Sequence, residues 1–328
     1  MRVAIVLPVH NEEENLERLV ANIDTAFGAA SETGSSPPLL LFIDDGSQDR
    51  SKLIITRIIE LRGHARCISF SRNFGHQPAV MAGFTHAPED CVVLVMDSDG
   101  QDPPEVGCEL VNRIYRGLDI AYGVRRKRKG HPLKRLAYWG FYRILSQLSM
   151  VDIPLDAGDF CAYSPRAVKL MLQFGENQPY VRGLRAWIGL NQVGVPYDRP
   201  ARYAGKASYD LRLLLNLAFD GIVSFSVKPL RLALILGLLT FFLCVILCAL
   251  YLGFYIFDIQ VAGVHARSVP GFTTITLLIL AFSGFQMMLL GIIGEYLGRL
   301  FEESKRRPRF IVAETIDSVA SPHVLPLK

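Results

Sequence analysis

Cys91-Val92-Val93-Leu94-Val95-Met96-Asp97-Ser98-Asp99-Gly100-Gln101-Asp102-Pro103-Pro104-Glu105 decides how this chain folds. Six apolar residues in a row, bounded by turn formers, read as a strand buried on both faces. Three acids and a glycine follow, and Pro104 then opens a helical stretch reaching Arg116. A buried strand that hands carboxylates to a turn and then to a helix is the repeating unit of α/β proteins. In such proteins ligands bind beyond the carboxyl ends of the strands.

The same unit recurs outward from this stretch. Apolar runs occupy Val3 to Val9, Leu39 to Ile43, Cys67 to Phe70 and, more weakly, Ile120 to Val124. Helix-like stretches lie near Glu13 to Phe27, Asp49 to Arg62 and Pro78 to His86. The alternation predicts an α/β layer with a mostly parallel sheet. Strand ends deliver Pro8-Val9-His10-Asn11-Glu12-Glu13 and Asp44-Asp45-Gly46-Ser47-Gln48-Asp49 to the same edge as Asp97 and Asp99. Asp49 and Asp102 read as helix caps. Asp97 and Asp99 flank a single residue, so both carboxylates can converge on one point, the donor chemistry that a hard divalent cation takes.

Composition locates a second part. The 328 residues are 50% hydrophobic and 20% charged, with net charge +4 and mean hydropathy +0.27. That balance excludes a disordered or low-complexity chain. Six cysteines without a C-x-x-C pair point to neither a zinc site nor a disulfide framework. The N-terminal apolar run is too short for a secretory signal, because Glu12-Glu13-Glu14 follows it closely. The apolar excess sits in two uncharged runs of 26 residues, Leu232 to Phe257 and Val269 to Gly294. About 20 residues suffice to cross a bilayer as a helix, so a transmembrane hairpin is expected. Its outer flanks carry Lys228, Arg231, Arg299, Lys305, Arg306, Arg307 and Arg309, against Arg267 in the connector. The positive-inside rule then puts both termini in the cytoplasm.

Residues 125–135 hold seven Lys or Arg and no acid. An apolar stripe at helical spacing follows, from Leu133 to Leu148, and a second runs from Leu211 to Phe225. Basic residues feeding amphipathic helices suit an anionic membrane surface better than a nucleic acid. Arg125, Arg128 and Arg135 are among these basic residues. The organisation read from these patterns is an α/β body over 1–209 with an interfacial helix at 132–150, a juxtamembrane helix at 210–229, two spans within 230–298 and a basic tail at 299–328.

Taken together and in order, the clusters named above, Ser71-Arg72-Asn73-Phe74-Gly75, Gly158-Asp159-Phe160, Arg202-Tyr203-Ala204-Gly205 and Gly294-Glu295-Tyr296-Leu297-Gly298-Arg299 resemble the GT-A, family 2 glycosyltransferases that act on polyprenyl phosphates. The likeness spans roughly Met1 to Phe310, and the terminal hairpin is most similar to the bacterial glucosyl and aminoarabinosyl branch. The resemblance implies that Pro8, His10, Asn11, Glu12, Asp44, Asp45, Asp97, Ser98 and Arg202 bind the nucleotide sugar. It implies Mg²⁺ or Mn²⁺ at Asp97, Asp99 and Gln101, and an acceptor phosphate near Arg125, for which Arg128, Arg135 and Lys206 are the further candidates. Asp99 and Asp159 are the implied residues at the reacting centre. A homotetramer in the bacterial inner membrane is implied as well. Some positions depart from the family pattern. His10 stands where Tyr is usual, and Cys161 where Arg often follows Asp-Phe. Tyr138 replaces a small hydroxyl residue, and Ser208 a Lys, with Lys206 two positions earlier as its substitute.

The chemistry matches these residue types. Breaking a sugar–diphosphate bond builds negative charge on the leaving nucleotide, which a cation and a bidentate arginine such as Arg202 stabilise. A lipid phosphate has a second pKa of about 6 by analogy with phosphoserine. It needs little help from a base, so Asp159 is expected to orient rather than to take a proton. The expected reaction moves one hexose from UDP-glucose to undecaprenyl phosphate, with GDP-mannose and UDP-aminoarabinose as alternative donors. A processive synthase is disfavoured by the lack of a Q-x-x-R-W motif. A catalytically idle nucleotide-binding scaffold is the reading from another class.

Overall fold

The computed structural model describes residues 2–30, 37–126, 157–176, 179–200 and 271–317, with scattered positions between 235 and 265. The chain divides into two compact units. The first comprises Met1–Ser146, Val151–Leu217 and Arg306–Lys328; the second comprises Gln147–Met150 and Ala218–Lys305.

The first unit is built on an eight-stranded sheet. Its chain order is β1 (Arg2–Val9), α1 (Leu16–Ala30), β2 (Leu39–Asp44), α2 (Ser51–Arg62), β3 (Ala65–Phe70), α3 (His76–His86), β4 (Cys91–Val95), α4 (Pro104–Tyr115) and β5 (Ile120–Arg125). Then come β6 (Ala157–Tyr163), α5 (Pro165–Gln173), α6 (Val181–Ile188) and β7 (Gln192–Tyr197). The expected strands and helices up to β5 are all present within a few residues. Strands β3, β2, β1 and β4 run parallel, as do β5 and β7, whereas β6 is antiparallel to both β4 and β5. This is the expected α/β layer with a mostly parallel sheet.

Alternation along β1 shows why both faces are covered. Ile5, Leu7 and Val9 join Leu16, Leu19 and Ile23 of α1 and Leu110 of α4 in one core. Residues of opposite parity face α3, where Gly83 lies so close that a Cβ would meet Val6 Cγ1 at 2.2 Å. Only a residue without a side chain lets α3 approach β1 at that point.

The segment read from sequence as a basic tail contributes a further strand. β10 (Val312–Asp317) pairs antiparallel with β3 and closes that edge of the sheet. Lys52 pairs with Glu314 at 2.6 Å, Arg66 pairs with Asp317, and Phe310 stacks on Phe70 with ring centroids 5.0 Å apart.

The second unit contains the short hairpin β8 (Gln260–Val261) and β9 (Val264–His265) and one long helix, α7 (Phe272–Ser304). Counted over the described residues alone, no helix is long and apolar enough to cross a membrane. The second expected span, 269–294, falls largely on α7, which has 33 residues. The first expected span, the interfacial helix at 132–150 and the juxtamembrane helix at 210–229 lie wholly or mostly outside the described residues.

Candidate active site

Parallel strands bring their carboxyl ends to one edge of the sheet, and the loops beyond β1, β2 and β3 enclose a cavity of about 520 Å³. His10, Asn11, Asp44, Ser69, Arg72 and Asn73 are among its lining residues, and its size suits a mononucleotide. The first two loops are interlocked by side chains. Asn11 receives a hydrogen bond from the Gln48 amide at 2.8 Å, and its own amide donates to Ser47 Oγ at 3.1 Å. Glu13 accepts from the Arg50 amide, and Asp49 accepts from the amides of Glu13 and Ser51 at the start of α2.

His10 lines the cavity, with Nε2 3.0 Å from Asn73 Nδ2 and Nδ1 3.0 Å from the Asp45 carbonyl. Asp44 is buried, accepting from the Ser47 amide at 3.0 Å and the Ser69 hydroxyl at 2.7 Å. The next residue behaves differently. The Asp45 carboxylate takes the amides of Phe74 and Gly75 at 2.6 and 2.8 Å. It thereby clamps the β3–α3 loop as a wall of the cavity, and burial pushes its pKa up. Gly46 has φ +66°, and a Cβ there would meet the Arg72 backbone at 2.5 Å, so this turn requires glycine. Glu12 binds Asn15 Nδ2 at 2.6 Å, and the Pro8 carbonyl accepts the buried Ser98 hydroxyl at 2.6 Å. That last bond ties the β1 loop to the β4 turn.

The β4 turn stands on Asp102. Expected from sequence to cap a helix, this carboxylate instead accepts the Asp97 amide at 3.1 Å and the Tyr197 hydroxyl at 3.0 Å, fully buried beneath the turn. Burial, then the charge of Asp97, push it up to about 7. Asp99 accepts the Gln101 amide at 3.1 Å, and the Gln101 side chain donates to the Pro200 carbonyl at 3.3 Å.

Because β6 runs against its neighbours, its first residues arrive where β4 ends. Asp159 therefore sits beside the β4 turn, linked to Asp97 through His76 at the start of α3. The His76 Nε2 lies 3.4 Å from Asp159 and 3.8 Å from Asp97. Arg182 of α6 grips Asp159 through two bonds of 2.9 Å. Burial favours a neutral Asp159, but the charge of Arg182 and the His76 hydrogen bond outweigh it and hold the carboxyl well below its ordinary range. Burial likewise opposes a charged His76, but the bond to Asp159 and the charge of Asp97 push it up to about 9. Asp159 is thus a poor proton acceptor at neutral pH.

At the end of β7, Arg199 reaches back to the same turn. Its Nη2 is 3.2 Å from Asp97 and 3.7 Å from Asp99, and its Nε is 3.9 Å from Asp102. Among the described residues no group of three or more His, Cys, Asp or Glu side chains is arranged to hold a metal ion. Asp97 and Asp99 nonetheless offer two hard oxygen donors, with water and substrate phosphate left to complete a Mg²⁺ or Mn²⁺ shell. Arg199 is the cation paired with these oxygens in the structure, and two hard oxygen donors beside it are compatible in type with such an ion.

Arg125 ends β5 beside Gly158, its side chain bonded to Tyr197 and its Nε buried without a partner among the described residues. Arg128, Arg135, Tyr138, Arg202, Lys206 and Ser208 lie outside the described residues. Cys161 replaces a family arginine, but a cation is nearby all the same. Arg185 of α6 is buried beside Cys161, donates to the Gly158 carbonyl at 3.3 Å and lies over the Tyr122 ring at 4.3 Å. The sequence reading missed His76, Arg182, Arg185 and Arg199. His76 directly follows the quoted Asn73-Phe74-Gly75, and Arg199 precedes Arg202 by three residues, so two of the four adjoined a recognised motif.

Comparison with known proteins agrees with this architecture. Residues 4–171 match the model of "Glycosyl transferase family 2". The chain is 37% identical over 319 residues to "Uncharacterized glycosyltransferase YkcC" of Bacillus subtilis (strain 168), covering 96% of this chain and 94% of that protein. It is 33% identical over 317 residues to "Bactoprenol glucosyl transferase" of Shigella phage SfV, covering 95% and 98%. A solved structure, S. aureus TarS 1–349, aligns with a TM-score of 0.43 at 14% identity over 69% of this chain and 66% of that one, too loosely to bear on function.

Proposed function

The chain belongs to glycosyl transferase family 2, and from that premise we propose that it transfers one hexose from a nucleotide sugar, UDP-glucose foremost, to a polyprenyl phosphate with inversion at the anomeric carbon. One observation carries the reading: a nucleotide-sized cavity lined by His10, Asp44 and Arg72 lies beyond β1, β2 and β3, and on the same sheet Asp97, Asp99 and Asp159 are gathered beyond β4 by His76 and Arg199. The near full-length likeness to a protein named for bactoprenol glucosyl transfer supports the choice of acceptor and sugar.

In the proposed reaction an oxygen of the lipid phosphate attacks the anomeric carbon as the bond to the nucleoside diphosphate breaks. A glycosyl phosphodiester and the free nucleotide result. The acceptor is already dianionic near neutral pH, so no proton need move. Asp159 holds Arg182 and His76 in place, and these cations face the region where acceptor and donor phosphates meet. His10, Asn11 and Asp44 bind base and ribose in the cavity, and Arg125 and Arg202 receive phosphate. A divalent cation held by Asp97 and Asp99 would supply charge stabilisation at the leaving diphosphate.

We further propose that the chain is anchored in the bacterial inner membrane with its catalytic unit and both termini on the cytosolic side. The uncharged runs 232–257 and 269–294, their basic flanks and the length of α7 support this. The test uses purified full-length protein with labelled UDP-glucose and undecaprenyl phosphate, with and without EDTA. Formation of an EDTA-sensitive sugar lipid is expected. No sugar lipid with UDP-glucose, GDP-mannose or UDP-aminoarabinose would overturn the proposal. Asp99→Ala should abolish turnover in a folded protein, whereas a scaffold would keep its cellular phenotype.

A further inference from the structure

Two arginines in this site pair with carboxylates in opposite ways. Arg182 meets Asp159 through two bonds of 2.9 Å, the fitted geometry of a lasting ion pair. Among the described residues Arg199 makes a single hydrogen bond, 3.2 Å to Asp97, and stands 3.7 and 3.9 Å from Asp99 and Asp102. Its Nε is buried without a hydrogen-bond partner among them. A guanidinium so placed is held by the summed field of three carboxylates and leaves a donor unsatisfied, which costs free energy.

We propose that Arg199 is an internal counter-ion that occupies the cation position of the β4 turn until a divalent metal and a nucleoside diphosphate arrive together. Asp97 and Asp99 would then hold the metal, and the released guanidinium would find a better partner in the diphosphate, which it can grip bidentately. Tyr197 and Pro200, on either side of Arg199, bond to Asp102 and Gln101. In the absence of substrate the device keeps three close carboxylates from repelling one another. This inference rests on the metal reading of the site.

The test is Mn²⁺ binding to the full-length protein, followed by electron paramagnetic resonance or calorimetry with and without UDP. Arg199 holds a positive charge 3.2 and 3.7 Å from the oxygens that would bind the metal, so removing it removes a repulsion between like charges. Arg199→Met should bind Mn²⁺ alone at least about tenfold more tightly than wild type. The mutual strengthening of Mn²⁺ and UDP binding should shrink in the variant. Arg199→Lys, whose point charge cannot span three carboxylates, should fall between the two and serves if the methionine variant does not fold. Equal or weaker Mn²⁺ binding by the variants overturns the counter-ion role and leaves the metal reading standing. No Mn²⁺ binding by any form, with or without UDP, removes the metal reading and this inference with it.

Discussion

Replacing Asp159 with Asn tests whether the cations of the active site are held by a buried carboxylate. Removing one partner of a buried ion pair typically costs about 3–5 kcal/mol. Arg182 is 35% exposed, so water screens part of that loss, and about 2 kcal/mol is expected for Asp159→Asn. Arg182→Met should cost a similar amount. The double variant should recover at least about 1 kcal/mol relative to the sum, since the two residues are in direct contact.

The pH dependence has a defined sign. The Asp159 carboxyl is held below its ordinary value, so its stabilisation is complete above about pH 4 and disappears only as pH falls through the still lower folded value. His76 is shifted the other way, from 6.5 to about 9. Its stabilisation is complete below pH 6.5 and is lost as pH rises through 9. Asp159→Asn removes the hydrogen bond that raises His76. The stability gap between wild type and variant should therefore be level from pH 5 to 6.5 and narrow towards pH 9. Urea denaturation of the full-length protein, followed by the fluorescence of Trp187 on the same helix as Arg182, measures both quantities. A cycle without coupling, or a gap that widens from pH 6.5 to 9, would refute the ion-pair account.

Three further outcomes are expected. Gly83→Ala should destabilise the catalytic unit by about 1–3 kcal/mol, because its Cβ has nowhere to go beside Val6; an unchanged urea midpoint would mean α3 packs less tightly than described. Asp44→Asn should weaken UDP binding about tenfold, since the lost charge-assisted hydrogen bonds, about 1.5–3 kcal/mol to a charged group, shape the cavity wall; calorimetry with UDP alone checks this. Tyr197→Phe leaves a buried oxygen of Asp102 without its donor and should cost about 1–3 kcal/mol in denaturation experiments.

How much of this was legible in the sequence depended on burial and distance along the chain. Strands β1 to β4 are sealed on both faces, so they are nearly unbroken apolar runs, and their helices follow at once. β6 carries Gly158 and Asp159, β7 carries Gly194 and Pro196, and β10 sits on an edge with its glutamate and aspartate in ion pairs. None of these three has the period or the uninterrupted apolarity that marks a strand. Their partners lie tens to hundreds of residues away, and no local pattern records such a pairing.

The sequence by itself determined the parallel core, the turns at its strand ends, and the placement of His10, Asp44, Asp97 and Asp99 on one edge, because each follows directly from a buried run. Only the tertiary structure decided that β6 enters in reverse and sets Asp159 beside Asp97. The same holds for the cations of α3, α6 and β7, which converge on those carboxylates. Charges buried together must be neutralised by whichever side chains the fold brings near, and that choice is made by pairing in space.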